Sequence, residues 1–273
     1  MPAIQLDAVA NYIREVAADK IEPRFKKLGD AEIQTKSGPN DLVTIADIEA
    51  EEDLTKILQD VLPGSHVVGE EAVSREEIDM SLLSSKEGYV WVIDPVDGTN
   101  NFANGRPIFG TIVSLNKKGE TLCSWIYDIP KNRMAIAEQG AGVEINNISR
   151  QYPTNDNALK DLRGFVSRKF LPKKMQEELK PVLDQYFGNT ETYLCCAHEY
   201  LDILDGEAYF SLYSRIRPWD HLAGAMMLNE AGGVIRKWDG SHYKPGDERG
   251  GLINTPHQEL WDEIFELLIK QYL

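Results

Sequence analysis

The first apolar positions of the chain recur with helical spacing. Leu6, Val9 and Ile13 lie three or four residues apart, and the apolar stripe continues to Phe25. One face of an α-helix has this period. We therefore predict an amphipathic helix over residues 4–27.

A polar segment and a second helix follow. Residues 30–41 contain Ser37-Gly38-Pro39-Asn40, a run typical of turns, and predict a loop. A second helical pattern covers residues 46–61, and Pro63-Gly64 ends it.

The middle of the chain predicts strands joined by tight turns. Lys117–Glu120 and Gln139–Gly142 each separate two apolar runs, which is the pattern of a β-hairpin. Residues 74–87 are polar and irregular. We expect the first half to place helices on a mostly antiparallel sheet, with strands at His66–Gly69, 88–94, Phe109–Asn116, Thr121–Tyr127, Arg133–Glu138 and Val143–Ile145.

The second half alternates strands and helices, as α/β folds do. The halves meet near residues 147–160, which are polar, so we expect an N-terminal half over 1–147 and a C-terminal half over 148–273. The predicted strands of the second half are Leu162–Ser167, Thr190–Leu194, Ala208–Tyr213, Val234–Trp238 and Gly251–Asn254, and its predicted helices are 171–187, Ala197–Leu204, 219–231 and 256–271.

Composition narrows the classes of function. The 273 residues are 42% hydrophobic and carry a formal net charge of -15, which allows a large core but disfavours binding to a nucleic-acid backbone. A small phosphate ester stays open, because a bound metal can invert the local field. Three cysteines, an odd number, argue against a disulfide framework. No stretch reaches the ~20 apolar residues that cross a bilayer, and the first residues do not read as a signal peptide. We expect a cytoplasmic protein with neither a membrane nor a direct nucleic-acid partner.

The most informative segment covers residues 91–102. Its apolar strand ends in two carboxylates, Asp94 and Asp97, and Gly98-Thr99 follow at once. Pro95 fixes one backbone angle, which lets both carboxylates face one point instead of opposite faces of a strand. Oxygen ligands beside backbone N–H groups suit a divalent cation and a phosphate together.

Other acidic positions have structural explanations when they are taken singly. Asp47 and Asp220 each stand near the start of a predicted helix, where aspartate commonly caps the N-terminus. Glu70 and Glu71 follow an apolar strand and could be a solvated strand end. These explanations weaken when all the acids are considered together.

Four motifs stand in an order and spacing that resemble one enzyme family. Asp94–Thr99 reads Asp-Pro-Val-Asp-Gly-Thr, and Trp219–Ala225 reads Trp-Asp-His-Leu-Ala-Gly-Ala. With Gly69-Glu70-Glu71 and the segment Asp41–Asp47, they are similar to the inositol monophosphatase superfamily of magnesium-dependent phosphatases, in particular its bacterial suppressor-type branch. The resemblance covers essentially the whole chain. It implies combined α+β and α/β character in a layered αβαβα sandwich of the sugar-phosphatase type, with an antiparallel N-terminal sheet and a mixed C-terminal sheet.

The resemblance also implies roles for single residues and two or three Mg²⁺ ions in each site. A first ion would be held by Glu70, Asp94 and the carbonyl of Val96, a second by Asp94, Asp97 and Asp220, and a third with help from Glu71. The catalytic residues would be Asp47, Thr99 and Glu70, of which the first two form a dyad that orients or deprotonates water. The residues expected to meet the phosphate or substrate are Lys36, Asp97, Gly98, Thr99 and Asp220.

The region expected to select the substrate departs from the family pattern. Inositol-specific members carry an acid shortly before the Trp-Asp motif, whereas residues 208–218 contain none and offer Ser211, Tyr213, Arg215 and Arg217. We take Tyr213 and Arg217 as substrate-binding candidates. The ester stays open among inositol 1-phosphate, glycerol 2-phosphate, histidinol phosphate, fructose 1,6-bisphosphate and adenosine 3′,5′-bisphosphate.

Two further properties follow from the resemblance. Family members are lithium-sensitive and form homodimers, and we expect both here. Some bacterial relatives bind transcription or RNA-processing machinery, so a regulatory protein with such a partner is the alternative function.

Overall fold

The computed structural model of the protein describes residues 4–38, 41–85, 87–154 and 158–273. Its helices are α1 (Leu6–Val16), α2 (Ile45–Val61), α3 (Glu70–Ser74), α4 (Thr99–Ala103), α5 (Lys173–Tyr186), α6 (Cys196–Leu204), α7 (Pro218–Glu230) and α8 (Gln258–Leu268). Its strands are β1 (Ile33–Gly38), β2 (Asp41–Thr44), β3 (His66–Gly69), β4 (Val90–Asp97), β5 (Gly110–Lys117), β6 (Glu120–Asp128), β7 (Arg133–Glu138), β8 (Gly142–Ile145), β9 (Ile148–Arg150), β10 (Arg163–Val166), β11 (Asn189–Glu191), β12 (Phe210–Tyr213), β13 (Val234–Lys237) and β14 (Leu252–Thr255).

The strands form a seven-stranded sheet, a five-stranded sheet and a two-stranded ribbon. The larger sheet has the order β3-β4-β5-β6-β7-β8-β9, and every pairing in it is antiparallel except that of β3 with β4. The smaller sheet has the order β11-β10-β12-β14-β13, with parallel pairs around β10 and antiparallel pairs around β14. An antiparallel N-terminal sheet and a mixed C-terminal sheet are thereby confirmed.

Helices cover both faces of each large sheet. α1 and α2 share an apolar core with one face of the seven-stranded sheet. α6 and α7 pack between the two sheets, and α5 and α8 cover the outer face of the five-stranded sheet. The resulting order of layers, α, β, α, β, α, confirms the expected sandwich. Among the described residues, no helix is both long and apolar enough to cross a membrane.

The passage from one sheet to the other lies beyond residue 147. β9 pairs with β8 at the edge of the seven-stranded sheet. β10 begins the five-stranded sheet at Arg163. The connection therefore runs between Arg150 and Arg163, and residues 155–157 of it lie outside the described part.

The loop predicted over residues 30–41 is wrong for most of its length. β1 and β2 pair antiparallel, with Ile33 opposite Thr44, and their register shifts between Thr35 and Gly38, where Lys36 lies. The sequence of this ribbon does not alternate between apolar and polar residues. Its two strands are held by pairing with each other rather than by burial of one face, so the pattern that predicts a strand is absent. The predicted turn residues 39 and 40 lie outside the described residues.

The first helix also differs from the prediction of one continuous helix over 4–27. The α-helix α1 ends at Val16, a π-helical turn covers Ala17–Ile21, and a 3₁₀ turn covers Glu22–Arg24. Pro23 accounts for the end of the helical hydrogen bonds near Ile21, because proline has no N–H to continue them.

Candidate active site

A bulge at the end of β4 brings Asp94 and Asp97 into one cavity. The register between β4 and β5 shifts by one residue between these two aspartates. In a regular strand, residues three apart point to opposite faces, and a bulge re-aims them. Within the bulge, the Val96 N–H donates to Asp94 Oδ1 over 3.1 Å. Asp94 and Asp97 therefore face one cavity, as expected from the sequence of the segment around Pro95.

Carboxylates from three separate elements meet beside this bulge. Glu70 begins α3, Asp94 lies on β4, and Asp220 lies in the first turn of α7. One oxygen of each lies within 4.8 Å of the other two. Asp97 lines the same cavity. We call these four side chains the carboxylate lining.

The cavity has a volume of about 150 Å³ and contains most of the site residues expected from the sequence. The expected residues that line it are Glu70, Asp94, Val96, Asp97, Gly98, Thr99, Tyr213 and Asp220. Arg217 is not among the described residues that line it, and its guanidinium carbon lies 5.8 Å from the ring centroid of Trp219. Arg215 lines the cavity instead. The other expected residues adjoin the cavity through hydrogen bonds. Lys36 donates to Glu70 and also to Glu71, and Asp47 is hydrogen-bonded to Thr99.

Helix α6 fixes the carboxylate of Asp97. The Ala197 N–H donates to Asp97 Oδ2 over 2.6 Å, and the Cys195 thiol donates to the same oxygen over 3.2 Å. Burial raises the pKa of Asp97 to about 6, although these donors oppose the rise. The sequence held no sign of the Cys195 contact, because it spans 98 residues. One carboxylate on β4 thus depends on a helix of the C-terminal half.

Asp47 is held between the start of α2 and Thr99. Thr44 caps the helix, and both its N–H (2.9 Å) and its hydroxyl donate to Asp47 Oδ2. The Thr99 hydroxyl lies 3.0 Å from Asp47 Oδ1 and 2.9 Å from the carbonyl of Val96, so its single proton serves one of them. Burial raises the pKa of Asp47 to about 6 against the opposing hydrogen bonds from Thr44. Asp47 is therefore part of a capping box and also a partner of Thr99.

An ammonium group lies between two of the acids. Lys36 Nζ donates to Glu70 Oε1 over 2.8 Å and to Glu71 Oε1 over 2.6 Å. Burial lowers the pKa of Lys36, but the two carboxylates outweigh burial and raise it above its ordinary value. Burial and the charge of Glu70 raise the pKa of Glu71 to about 8. These two carboxylates thus hold a positive charge in this structure.

Sequence reasoning missed Glu51, which positions α3. Its carboxylate accepts hydrogen bonds from the N–H groups of Glu71 (2.8 Å) and Ala72 (2.7 Å) at the start of that helix. Gly69 leaves the space, since a β-carbon there would lie 2.2 Å from Glu51 Cδ. Burial raises the pKa of Glu51 to about 7. Nothing along α2 distinguishes Glu51 from its acidic neighbours, because its partners lie about 20 residues further on.

The carboxylate lining suits a hard divalent cation. Burial and the charge of Glu70 raise the pKa of Asp94 and of Asp220 well above their ordinary values. Buried carboxylates remain ionised only when a positive charge compensates them. Carboxylate and carbonyl oxygens are the ligands that Mg²⁺ prefers in proteins. The residues present therefore fit the magnesium ions that the resemblance implies.

A second group of possible metal ligands includes Asp220 together with a thiol and an imidazole, but both nitrogens of the imidazole already have hydrogen-bond partners. Cys196, Asp220 and His221 also present ligand atoms within 4.8 Å of one another. The two ring nitrogens of His221 lie 3.0 Å from the Tyr200 hydroxyl and 2.9 Å from the carbonyl of Arg215. Burial lowers the pKa of His221 to about 3. This imidazole is neutral and structural.

Comparison with known proteins decides the family. The model of the inositol monophosphatase family matches residues 4–271. The chain belongs to this family. Its enzymes act on small phosphate esters and are generally metal-dependent, and the chain is a phosphomonoesterase of the inositol monophosphatase superfamily.

Individual members of the inositol monophosphatase family support the assignment. The chain is 28% identical to the inositol-1-monophosphatase of Bacillus subtilis over 265 residues, which cover 95% of this chain and 96% of the relative. It is 32% identical to the Nus factor SuhB of Vibrio cholerae over 231 residues, which cover 79% of each protein. The Thermotoga maritima IMPase has the same fold, with a TM-score of 0.82 at 22% identity over 97% of this chain and 96% of that chain. The bacterial, suppressor-type resemblance is confirmed.

Proposed function

We propose that the protein hydrolyses a small phosphate monoester with two or three magnesium ions held at the carboxylate lining. The observation that carries the proposal is the meeting of Glu70, Asp94 and Asp220 within 4.8 Å, beside Asp97. Glu70, Asp94 and the Val96 carbonyl would hold one ion, Asp94, Asp97 and Asp220 a second, and Glu71 would help to hold a third. When bound, the ions neutralise phosphate charge and make water more acidic.

The proton is moved by Asp47 and Thr99. While the Thr99 hydroxyl donates to Asp47, its oxygen keeps lone pairs that accept a proton from a water molecule. Asp47 then takes the original Thr99 proton. If the Val96 carbonyl helps to hold an ion, Asp47 is the remaining acceptor for the proton of the Thr99 hydroxyl. The dyad would thus orient the water and remove its proton.

Phosphate oxygens would be bound at the start of α4. Gly98 has φ of 85°, and a β-carbon there would lie 2.8 Å from the carbonyl of Ile108, so glycine is required. The N–H groups of Gly98 and Thr99 are the proposed donors. Lys36 would exchange its contacts with Glu70 and Glu71 for the substrate phosphate when a third ion binds.

A phosphate-release assay tests this function. We expect release from at least one of the candidate esters, with inositol 1-phosphate first because of the Bacillus subtilis relative. Activity should require Mg²⁺ and be inhibited by lithium at millimolar concentration. Full activity in the presence of a strong chelator would contradict the magnesium assignment.

Two properties of the relatives extend the proposal. The resemblance to Nus factor SuhB supports a second role in binding transcription machinery, and affinity capture from cell extract with the active protein and with Asp94→Asn would show whether it depends on the site. The expected homodimer is tested by sedimentation, where a mass near 30.8 kDa would refute it.

A further inference from the structure

Another part of the cavity lining is basic. Lys169 and Arg215 line the same cavity as the carboxylate lining, and we call this pair the basic lining. The buried Glu199 also lines this cavity, and its carboxylate accepts hydrogen bonds from Thr192 and Tyr193. Lys169 follows β10 and Arg215 follows β12, and these two strands are parallel neighbours. Both residues therefore lie at the carboxyl ends of parallel strands, where α/β sheets commonly bind ligands.

A basic groove continues from this lining. The groove has a volume of about 480 Å³, shares Lys169 and Thr192 with the cavity, and adds Arg168 and Lys173. Two acids, Glu177 and Glu191, and a further lysine, Lys180, also line it. Lys180 pairs with Asp184, and Glu191 pairs with Arg163. Within the described ranges, Arg168, Lys169 and Lys173 pair with no carboxylate, which is notable in a chain of net charge -15.

Neighbouring groups orient these cations without neutralising them. The guanidinium carbon of Arg215 lies 3.8 Å from the ring centroid of Phe170, an exposed side chain that lines the same cavity. Lys173 is the first residue of the 14-residue helix α5, whose N-terminus adds partial positive charge. The hydroxyl of Tyr213 is buried at the cavity beside the carboxylate of Glu199, and its hydrogen bond opposes the rise that burial gives the pKa of Glu199.

We infer that the substrate is a small bisphosphorylated molecule. Its reacting phosphate would lie at the carboxylate lining, and its second, unreacting phosphate would be bound by Lys169 and Arg215, with Arg168 and Lys173 at the groove. The inference rests on the proposed phosphatase function and names its substrate class, which differs from the monophosphate in the name of the Bacillus subtilis relative.

Steady-state kinetics on matched pairs of esters test the inference. The pairs are fructose 1,6-bisphosphate with fructose 1-phosphate, and adenosine 3′,5′-bisphosphate with adenosine 3′-monophosphate, at fixed Mg²⁺. We expect kcat/KM to be at least about tenfold higher for the bisphosphate in one pair, mainly through KM, because charge-assisted hydrogen bonds are the strong ones. Lys169→Gln and Arg215→Gln should each remove most of that preference.

The control variant is Lys174→Gln. Lys174 is an exposed neighbour on α5 that lines neither the cavity nor the groove, so the preference should persist in it. Hydrolysis of the monophosphates with no preference in either pair would overturn the inference and leave the proposed function standing. A preference that survives in both Lys169→Gln and Arg215→Gln would also overturn it. No phosphate release from any ester would refute the proposed function itself.

Discussion

The two linings of the cavity differ in burial as well as in charge. Asp94 and Asp97 are 2% and 7% exposed, whereas Lys169 and Arg215 are exposed side chains. A buried charge is costly without a partner, while a solvated one costs little. We therefore expect the carboxylate lining to depend on bound cations and on a surrounding fold that holds it. The basic lining lies on loops, where residues change at small cost to the fold.

Removing one buried acid should have the largest effect. Asp94→Asn should lower kcat by about a thousandfold or more, since a residue proposed to hold both ions is lost. The metal-free variant should be at least as stable as the parent, because a buried charge beside other acids has been removed. Phosphate release and thermal unfolding with and without Mg²⁺ measure both effects. Asp184→Asn, an exposed acid on α5, is the control, and parental activity in Asp94→Asn would refute the site.

The dyad should show the next largest effect. Thr99→Ala should lower kcat by about 10²–10³-fold, the range of general acid–base catalysis, while Thr99→Ser keeps a hydroxyl and should retain much of the activity. Equal losses in the two variants would show that Thr99 acts through packing rather than through its proton.

The position of α3 can be disturbed from outside the cavity. Gly69→Ala would push Glu51 from the N-terminus of α3 and displace Glu70, because the new β-carbon would lie 2.2 Å from Glu51 Cδ. We expect an Mg²⁺ concentration for half-maximal activity about tenfold higher and a loss of about 1–3 kcal/mol in the free energy of unfolding. Gly29→Ala, where the nearest contact is 3.6 Å, is the control. An unchanged Mg²⁺ requirement would count against the role of Glu51.

The buried acids also predict how stability depends on pH. Burial raises the pKa of Asp47 and Asp97 to about 6 and that of Glu71 to about 8. An acid whose pKa is higher in the folded than in the unfolded state stabilises the fold at low pH, and that stability is lost as pH rises through the folded pKa. The metal-free protein, prepared with EDTA, should therefore lose several degrees of Tm between about pH 4 and pH 8. Mg²⁺ should reduce this loss, and identical pH slopes with EDTA and with Mg²⁺ would contradict the assignment.

The smallest expected effect is that of salt, which should weaken binding at the basic lining more than at the carboxylate lining. Raising KCl from about 0.05 to about 0.3 M shortens the Debye length, which screens exposed charges more than buried ones. We expect KM for a bisphosphate substrate to rise roughly threefold while kcat changes less. Measuring both constants across the salt series checks this, and a fall in kcat at constant KM would place the salt-sensitive charges at the carboxylate lining instead.

Asp94 and Asp97 could be predicted from the sequence because their spacing is local, whereas Glu70 and Asp220 were expected from the family resemblance. Asp94, Pro95 and Asp97 lie within one bulge, and the motif around Asp220 is equally short. Glu51 and Cys195 could not be found in this way, since their contacts join segments about 20 and 98 residues apart. The ribbon of β1 and β2 escaped for a different reason, because it is local but only its pairing defines it.

The arginines of the substrate-selecting segment show a second limit. Arg215 and Arg217 are two residues apart, and nothing in their neighbours shows which one reaches the cavity. The chain turns into α7 with Pro218 as its first residue, and Arg217 lies over Trp219. The direction of such a turn depends on packing around the buried Ile216, which a single sequence does not display.

The distribution of the acids along the chain has a consequence for synthesis. During translation, Glu70, Asp94 and Asp97 leave the ribosome long before Asp220, and the Ala197 N–H that fixes Asp97 also comes late. A nascent chain that stops before α7 would carry three of the four acids but would lack both Asp220 and the helix α7. Every molecule with a complete site must therefore have been translated at least as far as Asp220, so activity reports that synthesis has reached α7.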